Sequence, residues 1–108
     1  MSVVPEVTPT QLKTELSTGA PLYLLDVREA HELEVSVLPD IVHIPLGEIE
    51  NRFDEIPKDG NIVIICRSGM RSGKATAFLL GHGFTHVRNM VTGMNGWATT
   101  VDPNMKTY

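Results

Sequence analysis

The segment "NIVIIC", residues 61–66, constrains the fold more than any other. Four consecutive β-branched apolar residues, Ile62 to Ile65, follow a set of turn residues and end at the chain's one cysteine. A strand with one face in water alternates apolar and polar residues, whereas an unbroken apolar run needs cover on both faces. Ile62 to Ile65 is therefore predicted to be a central strand of a sheet with helices packed above and below it.

The remainder of the chain supplies alternating units around that strand. Thr8, Pro9 and Gln11 mark a helix start as N-cap, first-turn proline and capping-box partner; Leu12 and Leu16 share a face, and Gly19 is the stop. "PLYLLDV" reads as a buried strand, and "REAHELE" as a helix whose charges, Glu29 and Glu32 among them, sit on a solvated face. The proline-rich stretch "SVLPDIVHIPLGEIENRFDEIP" predicts a loop, a brief strand near Ile41 to His43 and a helix from about Leu46 to Phe53. "SGKATAFLLGHGF" has Ala75, Phe78 and Leu79 at helical spacing, with Gly81 and Gly83 as terminators. A strand near His86 to Asn89, a short helix around Trp97 and a tail "TTVDPNMKTY", read as an ordered turn or a frayed end, complete the chain.

This alternation predicts an α/β fold of three layers, a central, mostly parallel sheet of about five strands with helices on both faces, joined by right-handed crossovers. A length of 108 residues suits one core and is too short for two, so residues 1–108 are expected to form a single domain. Hydrophobic residues at 42% and charged residues at 20% exclude disordered and fibrous classes. The net charge of -4 gives no general attraction for nucleic acid or an anionic membrane, so any bound anion must be held locally. The opening "MSVVPEVTP" has no signal-peptide pattern and no stretch approaches the roughly 18 apolar residues of a membrane span. A cytoplasmic location is expected. A single cysteine makes no internal disulfide, and His31, His43, His82 and His86 have no metal-ligand spacing; they read as surface or loop histidines without a catalytic role.

In parallel sheets ligands bind beyond the carboxyl ends of the strands, and Cys66 falls at that edge. After it come Arg67, Ser68, Gly69, Met70, Arg71 and Ser72, then helix-forming residues. At such a junction successive backbone N–H groups turn inward and the helix N-terminus adds partial positive charge. A thiolate is favoured there over a thiol, with pKa values in comparable sites of about 3.5 to 7.5. Gly69 supplies backbone angles closed to other residues. Arg67 and Arg71 offer planar, permanently charged forks for an oxyanion. Ser68 and Ser72 have hydroxyls for substrate, although Ser72 serves equally as a helix cap and Ser68 as a turn residue. Met70 reads as a pocket wall or a gap-filler, Trp97 as core or rim, and Gly73 as a place where helix and loop approach closely. The bland reading of Cys66 is a buried strand-end residue. Its polar, cationic, glycine-bearing surroundings favour instead an anion-using nucleophile. Asp26 and Arg28 lie at a strand end on the same edge, where a salt bridge closing a loop is the simplest expectation.

The loop "CRSGMRS" resembles the active-site loop of rhodanese-type sulfurtransferases. Three more segments resemble that family in the same order: "LLDVRE", "VLPDIVHIP" and "TGMNGWATTVDP". Together they span almost the whole chain. Ser36 and Val37 stand where the family commonly has Gly-His, and Thr92 and Gly93 where it often has Gly-Gly. The resemblance implies that the Cys66 thiolate takes the outer sulfur of a donor such as thiosulfate, becomes a persulfide and passes that sulfur to a thiol, a protein acceptor or cyanide. It further implies that Arg67 to Ser72 bind the substrate, that Asp26 and Arg28 support the site, and that no metal or organic cofactor is needed. Two rivals stand beside this reading. One is a persulfide carrier or docking module that hands sulfur to a partner protein; the "VDP" tail resembles rhodanese domains fused to activating enzymes of cofactor and tRNA sulfur pathways. The other is a cysteine phosphatase or arsenate reductase, but the loop of that neighbouring phosphatase family is one residue longer between Cys and Arg, a ring better sized for phosphate.

Overall fold

The computed structural model describes residues 3–108. Its strands are β1 (Glu6–Val7), β2 (Tyr23–Asp26), β3 (Val42–His43), β4 (Ile62–Ile65) and β5 (Val87–Met90). Its helices are α1 (Pro9–Ser17), α2 (Ala30–Leu33), α3 (Ile49–Arg52), α4 (Met70–Leu80) and α5 (Gly93–Thr100). The sheet order is β1-β5-β4-β2-β3, with every pair parallel, so β4 lies in the middle as its apolar run requires. All four β4 residues have 0% of their surface exposed. Alternate side chains go to opposite faces. Ile62, Ile64 and Cys66 join Leu25, Val27, Ile44, Ile49 and Leu79 in one cluster, while Val63 and Ile65 join Leu12, Met90, Met94 and Trp97 in the other. Helices α3 and α4 therefore cover the first face, and α1 and α5 the second. Each fully buried Ile or Val contributes about 1.5–3 kcal/mol, which makes β4 the most strongly held strand of the sheet.

Local chemistry explains the elements on either side. The Thr8 hydroxyl accepts from the Gln11 amide and the Gln11 side chain accepts from the Thr8 amide, closing the expected capping box. Strand β1 is a two-residue edge strand, too short to leave a period-two pattern, and it went unread. Helix α2 is a single turn, and the helix expected from Leu46 to Phe53 is broken. Tight three-residue turns at Leu46–Glu48 and Phe53–Glu55 flank α3, closed by bonds from the Glu48 amide to the Pro45 carbonyl and from the Ile56 amide to the Phe53 carbonyl. Helix α4 begins at Met70, so Met70, Arg71 and Ser72 form its first turn rather than preceding it.

A close approach of backbone to backbone lies behind the Cys66 loop. The amides of Met94 and Asn95, in the first turn of α5, donate to the carbonyls of Cys66 (2.8 Å) and Arg67 (3.1 Å). Gly93 permits this at φ +59, and a Cβ there would overlap the backbone of Cys66 and Arg67. Thr92 precedes it at φ 64, a left-handed position where a glycine would be unstrained. Gly93→Ala is predicted to cost about 2–5 kcal/mol from left-handed strain plus overpacking. Gly47→Ala, where a Cβ meets open space, should stay within about 0.5 kcal/mol of the parent. Urea-denaturation midpoints of the two variants check this; equal midpoints would refute the packing argument.

Candidate active site

Beyond Ile65 the chain leaves the sheet and must reverse into α4 within four residues, Cys66 to Gly69. Gly69 makes the reversal at φ 103 as the residue preceding the helix. The first amides of a helix have no intrahelical acceptor, and here they find the sulfur. The Gly69 amide donates to Cys66 Sγ at 3.0 Å, the amides of Ser68 and Ser72 also turn to it, and Ser72 Oγ lies 3.2 Å away. Cys66 is only 1% exposed. Burial pushes the thiol up, but the Ser72 hydroxyl and the amides of Ser72, Gly69 and Ser68 pull it down further, and the net shift is below the ordinary thiol value. The sulfur is thus buried against polar N–H groups that favour its anion.

The guanidinium groups around this nest are held by a chain of contacts. Asp26 and Arg28 are both fully buried and paired, with Arg28 Nε and Nη2 donating to the Asp26 carboxylate at 2.8–3.1 Å. Arg28 Nη2 also donates to the Ser36 carbonyl at 2.7 Å, and His43 Nε2 lies 2.6 Å from the Arg28 carbonyl, which can only accept. Arg28 Nη1 donates to the Tyr108 hydroxyl at 2.8 Å, and that hydroxyl donates to Glu32 Oε2 at 2.9 Å. Glu32 in turn takes both terminal nitrogens of Arg71, at 2.6 and 2.7 Å. The Arg67 guanidinium lies 4.9 Å from the centre of the Tyr108 ring. The main chain of Tyr108 is itself gripped by the Asn95 side-chain amide, through Tyr108 N to Oδ1 (3.2 Å) and Asn95 Nδ2 to Tyr108 O (3.4 Å).

Of the expected site residues, Cys66, Gly69 and Ser72 converge on the sulfur, while Arg67 and Ser68 stay exposed on the rim. Ser72 is not the cap of α4 but lies inside its first turn, fully buried. Met70 is 74% exposed, so it neither walls the site nor fills a gap. Asp26 and Arg28 form the expected salt bridge and reach the rim indirectly, through Tyr108 and the Glu32 carbonyl. Glu32 departs from expectation as well. Glu32 is not on a solvated face, because the single turn of α2 aims it at the loop, where it is 7% exposed. The Arg71 side chain is 32% exposed and tied to Glu32. Tyr108 was missed as a site residue, since nothing in a tail separated by 80 positions from Arg28 signals that contact. A cavity of about 650 Å³ opens elsewhere, between α1, α5 and the loop around Val37, Leu38 and Pro39, and no residue of 66–72 lines it.

Arg71 holds the Glu32 carboxyl at about 2, far below the usual carboxylate value, with a smaller opposing push from burial. A carboxyl depressed on folding adds stability that is full above its unfolded pKa, near 4.3, and is lost as pH falls toward the folded value. Glu32→Gln is therefore predicted to cost about 1–3 kcal/mol at neutral pH, with the deficit shrinking from about pH 4 down to pH 2. Denaturation of both proteins across that range measures it; a pH-independent difference would contradict the ion-pair account.

Comparison with known proteins agrees with this architecture. The family profile described as "Rhodanese-like domain" matches residues 8–100. The Bacillus subtilis protein named "Putative sulfur carrier protein YrkF" is 42% identical over 96 residues, covering 89% of this chain and 52% of the relative, so the chain spans about half of that protein's length. A protein of Allochromatium vinosum named "Sulfurtransferase" is 36% identical over 96 residues, covering 89% of this chain and 90% of the relative. A rhodanese-like domain protein from Staphylococcus aureus superposes with a TM-score of 0.83 at 26% identity, over 96% of this chain and 98% of the other. With a parallel five-stranded sheet, a strand-end cysteine in a ring of amides and a family match over most of its length, the chain belongs to the rhodanese-like domain family.

Proposed function

We propose that this protein is a sulfurtransferase that moves sulfane sulfur from an anionic donor such as thiosulfate to a thiophilic acceptor through a persulfide on Cys66, acting as a single domain in the cytoplasm. The observation that carries this reading is the convergence of the Gly69, Ser68 and Ser72 amides and the Ser72 hydroxyl on Cys66 Sγ. Such a nest lowers the cost of negative charge at the sulfur and, after transfer, near the sulfur attached to it.

In the first displacement the Cys66 thiolate attacks the outer sulfur of thiosulfate. A new S–S bond forms, the donor's S–S bond breaks, and sulfite leaves with the electron pair. Arg67 on the rim and the Arg71 donors not engaged by Glu32 meet the incoming dianion and the departing sulfite. In the second displacement an acceptor thiolate attacks the outer sulfur of the persulfide, and the electron pair of the broken bond returns to Cys66. Both halves reuse the same amides, because the charge begins and ends within one bond length of the same place.

A carrier role draws support from the relative named as a sulfur carrier and from the almost complete cover over Cys66, which limits discharge to acceptors able to reach the loop. Steady turnover with small thiols marks the free enzyme; slow turnover with rapid discharge to one protein marks the carrier.

Intact-mass measurement after exposure to thiosulfate is expected to show a gain of one sulfur atom in the parent and none in Cys66→Ser. An unmodified Cys66 together with hydrolysis of aryl phosphates would overturn the proposal in favour of phosphatase chemistry. Arg67→Ala removes a rim cation without breaking a buried pair. Its KM for thiosulfate should rise roughly two- to tenfold, and the difference should diminish as ionic strength is raised. An unchanged KM at low salt removes Arg67 from the donor site.

A further inference from the structure

Behind the Cys66 nest lies a buried amide that the proposed chemistry does not use. Asn89, on β5, is 5% exposed and stands opposite Ile64 of β4 in the sheet. Its Nδ2 donates to the Gly69 carbonyl at 3.0 Å. That carbonyl can only accept, which settles the orientation of the amide and leaves Oδ1 facing Ser72. Ser72 Oγ lies 2.5 Å from Oδ1 and 3.2 Å from Cys66 Sγ. The hydroxyl has one proton and two acceptors competing for it. Gly73 lets α4 come this close, since a Cβ there would sit 3.3 Å from Asn89 Nδ2.

We infer that Asn89 is a positioning residue that controls how readily Cys66 ionises, by competing with the sulfur for the single proton of the Ser72 hydroxyl. The inference rests on Cys66 being the reacting group of the proposed transfer. With the hydroxyl donated to Asn89, the Ser72 oxygen turns a lone pair toward Sγ. The chain then runs in one direction, from Cys66 S–H to Ser72 Oγ–H to Asn89 Oδ1, and every donor has an acceptor. Loss of the thiol proton breaks that order. The hydroxyl must then rotate to the thiolate, leaving Oδ1 without its donor, or stay on Asn89 with a lone pair against the anion. Asn89 therefore opposes the thiolate that the Ser68, Gly69 and Ser72 amides favour.

The same competition favours the sulfur-loaded state. Once Cys66 carries a second sulfur, the charge moves to the outer atom and Sγ becomes a neutral, weak acceptor. The Ser72 hydroxyl then returns to Asn89 at no cost to the anion. Thiol and persulfide thus share one hydroxyl orientation, and the free thiolate alone favours the other.

The charged groups around Cys66 do not enter this exchange. Arg71 of α4 acts on the sulfur through space and is tied to Glu32 of α2, and Arg67 stands over Tyr108. Asp26 at the end of β2 and Arg28 in the loop after it neutralise each other, and Arg88 of β5 is turned away to Glu15 of α1. All of these are the same in parent and variant, so an effect of Asn89 must pass through Ser72 or through the Gly69 turn.

Cys66 is the chain's one cysteine, so the pH dependence of its alkylation by iodoacetamide reads the thiolate directly, without reference to sulfur transfer. Asn89→Ala and the bulkier Asn89→Val should each lower the midpoint by roughly one pH unit, a tenfold gain in thiolate at acid pH. In a Ser72→Ala background the same substitutions should have no such effect, because there is no proton left to contest. Ser72→Ala alone should raise the midpoint by well under one unit, since in the parent the pull of that hydroxyl on the sulfur is reduced by the bond it gives to Asn89. A midpoint that is unchanged or raised in the folded Asn89 variants, the same lowering with and without Ser72, or a full-unit rise in Ser72→Ala would each overturn the inference. If these shifts appear while thiosulfate leaves no sulfur on Cys66, the sulfur-transfer reading fails and the role of Asn89 stands.

Discussion

Cys66 Sγ lies between two opposed effects, and the rest of the site is arranged around their balance. Burial at the end of a fully enclosed strand disfavours a charged sulfur, while the ring of amides begun at Gly69 favours one. Neither is available without β4. Its apolar residues hold the strand rigidly between two helical layers, so the chain leaves the sheet at a defined point and α4 starts with its free amides aimed back at the sulfur. The amides of α5 hold the same loop from behind by binding the carbonyls of Cys66 and Arg67. The sulfur is thereby kept nearly out of water by main chain rather than by mobile side chains.

The cations of the loop are subject to a second kind of control. Arg71, as a bare guanidinium, would have several poses in solvent; paired with Glu32 it has essentially one. Glu32 is held by Tyr108, and Tyr108 by the buried Arg28 and Asp26 pair and by Asn95. This chain costs the site part of its positive charge, since Glu32 cancels one guanidinium, but it gives the remaining donors a fixed direction. It also sets the two arginines apart. Arg67 is the exposed rim cation, and Arg71 is the oriented one.

Much of this was legible in residue order. The unbroken run Ile62 to Ile65 demanded a covered central strand, and the capping residues Thr8 and Gln11 placed α1 correctly. The junction of an apolar strand, a glycine and a helix marked Cys66 as the group to consider. Errors came where local pattern was weak. A two-residue edge strand has no periodicity to read, and the segment from Leu46 to Glu55 has helical residues but resolves into three short turns. Glu32 looked like a surface residue because a single helical turn carries no reliable facing signal, and its burial depends on where α2 docks.

What the sequence determined by itself is the setting of the candidate site: a strand long and apolar enough to be enclosed, a turn only glycine makes easily, and one thiol at the point between them. These are short-range facts, set by side-chain shape and backbone sterics within a few residues. Tertiary structure decided which distant groups attend that thiol. Glu32, Asn89 and Tyr108 reach the loop from 39 positions before Arg71, 17 after Ser72 and 80 after Arg28. Contacts of that span arise only when helices and strands pack together, because the free energy that brings them together belongs to the core as a whole and leaves no mark on the residues that meet at its edge.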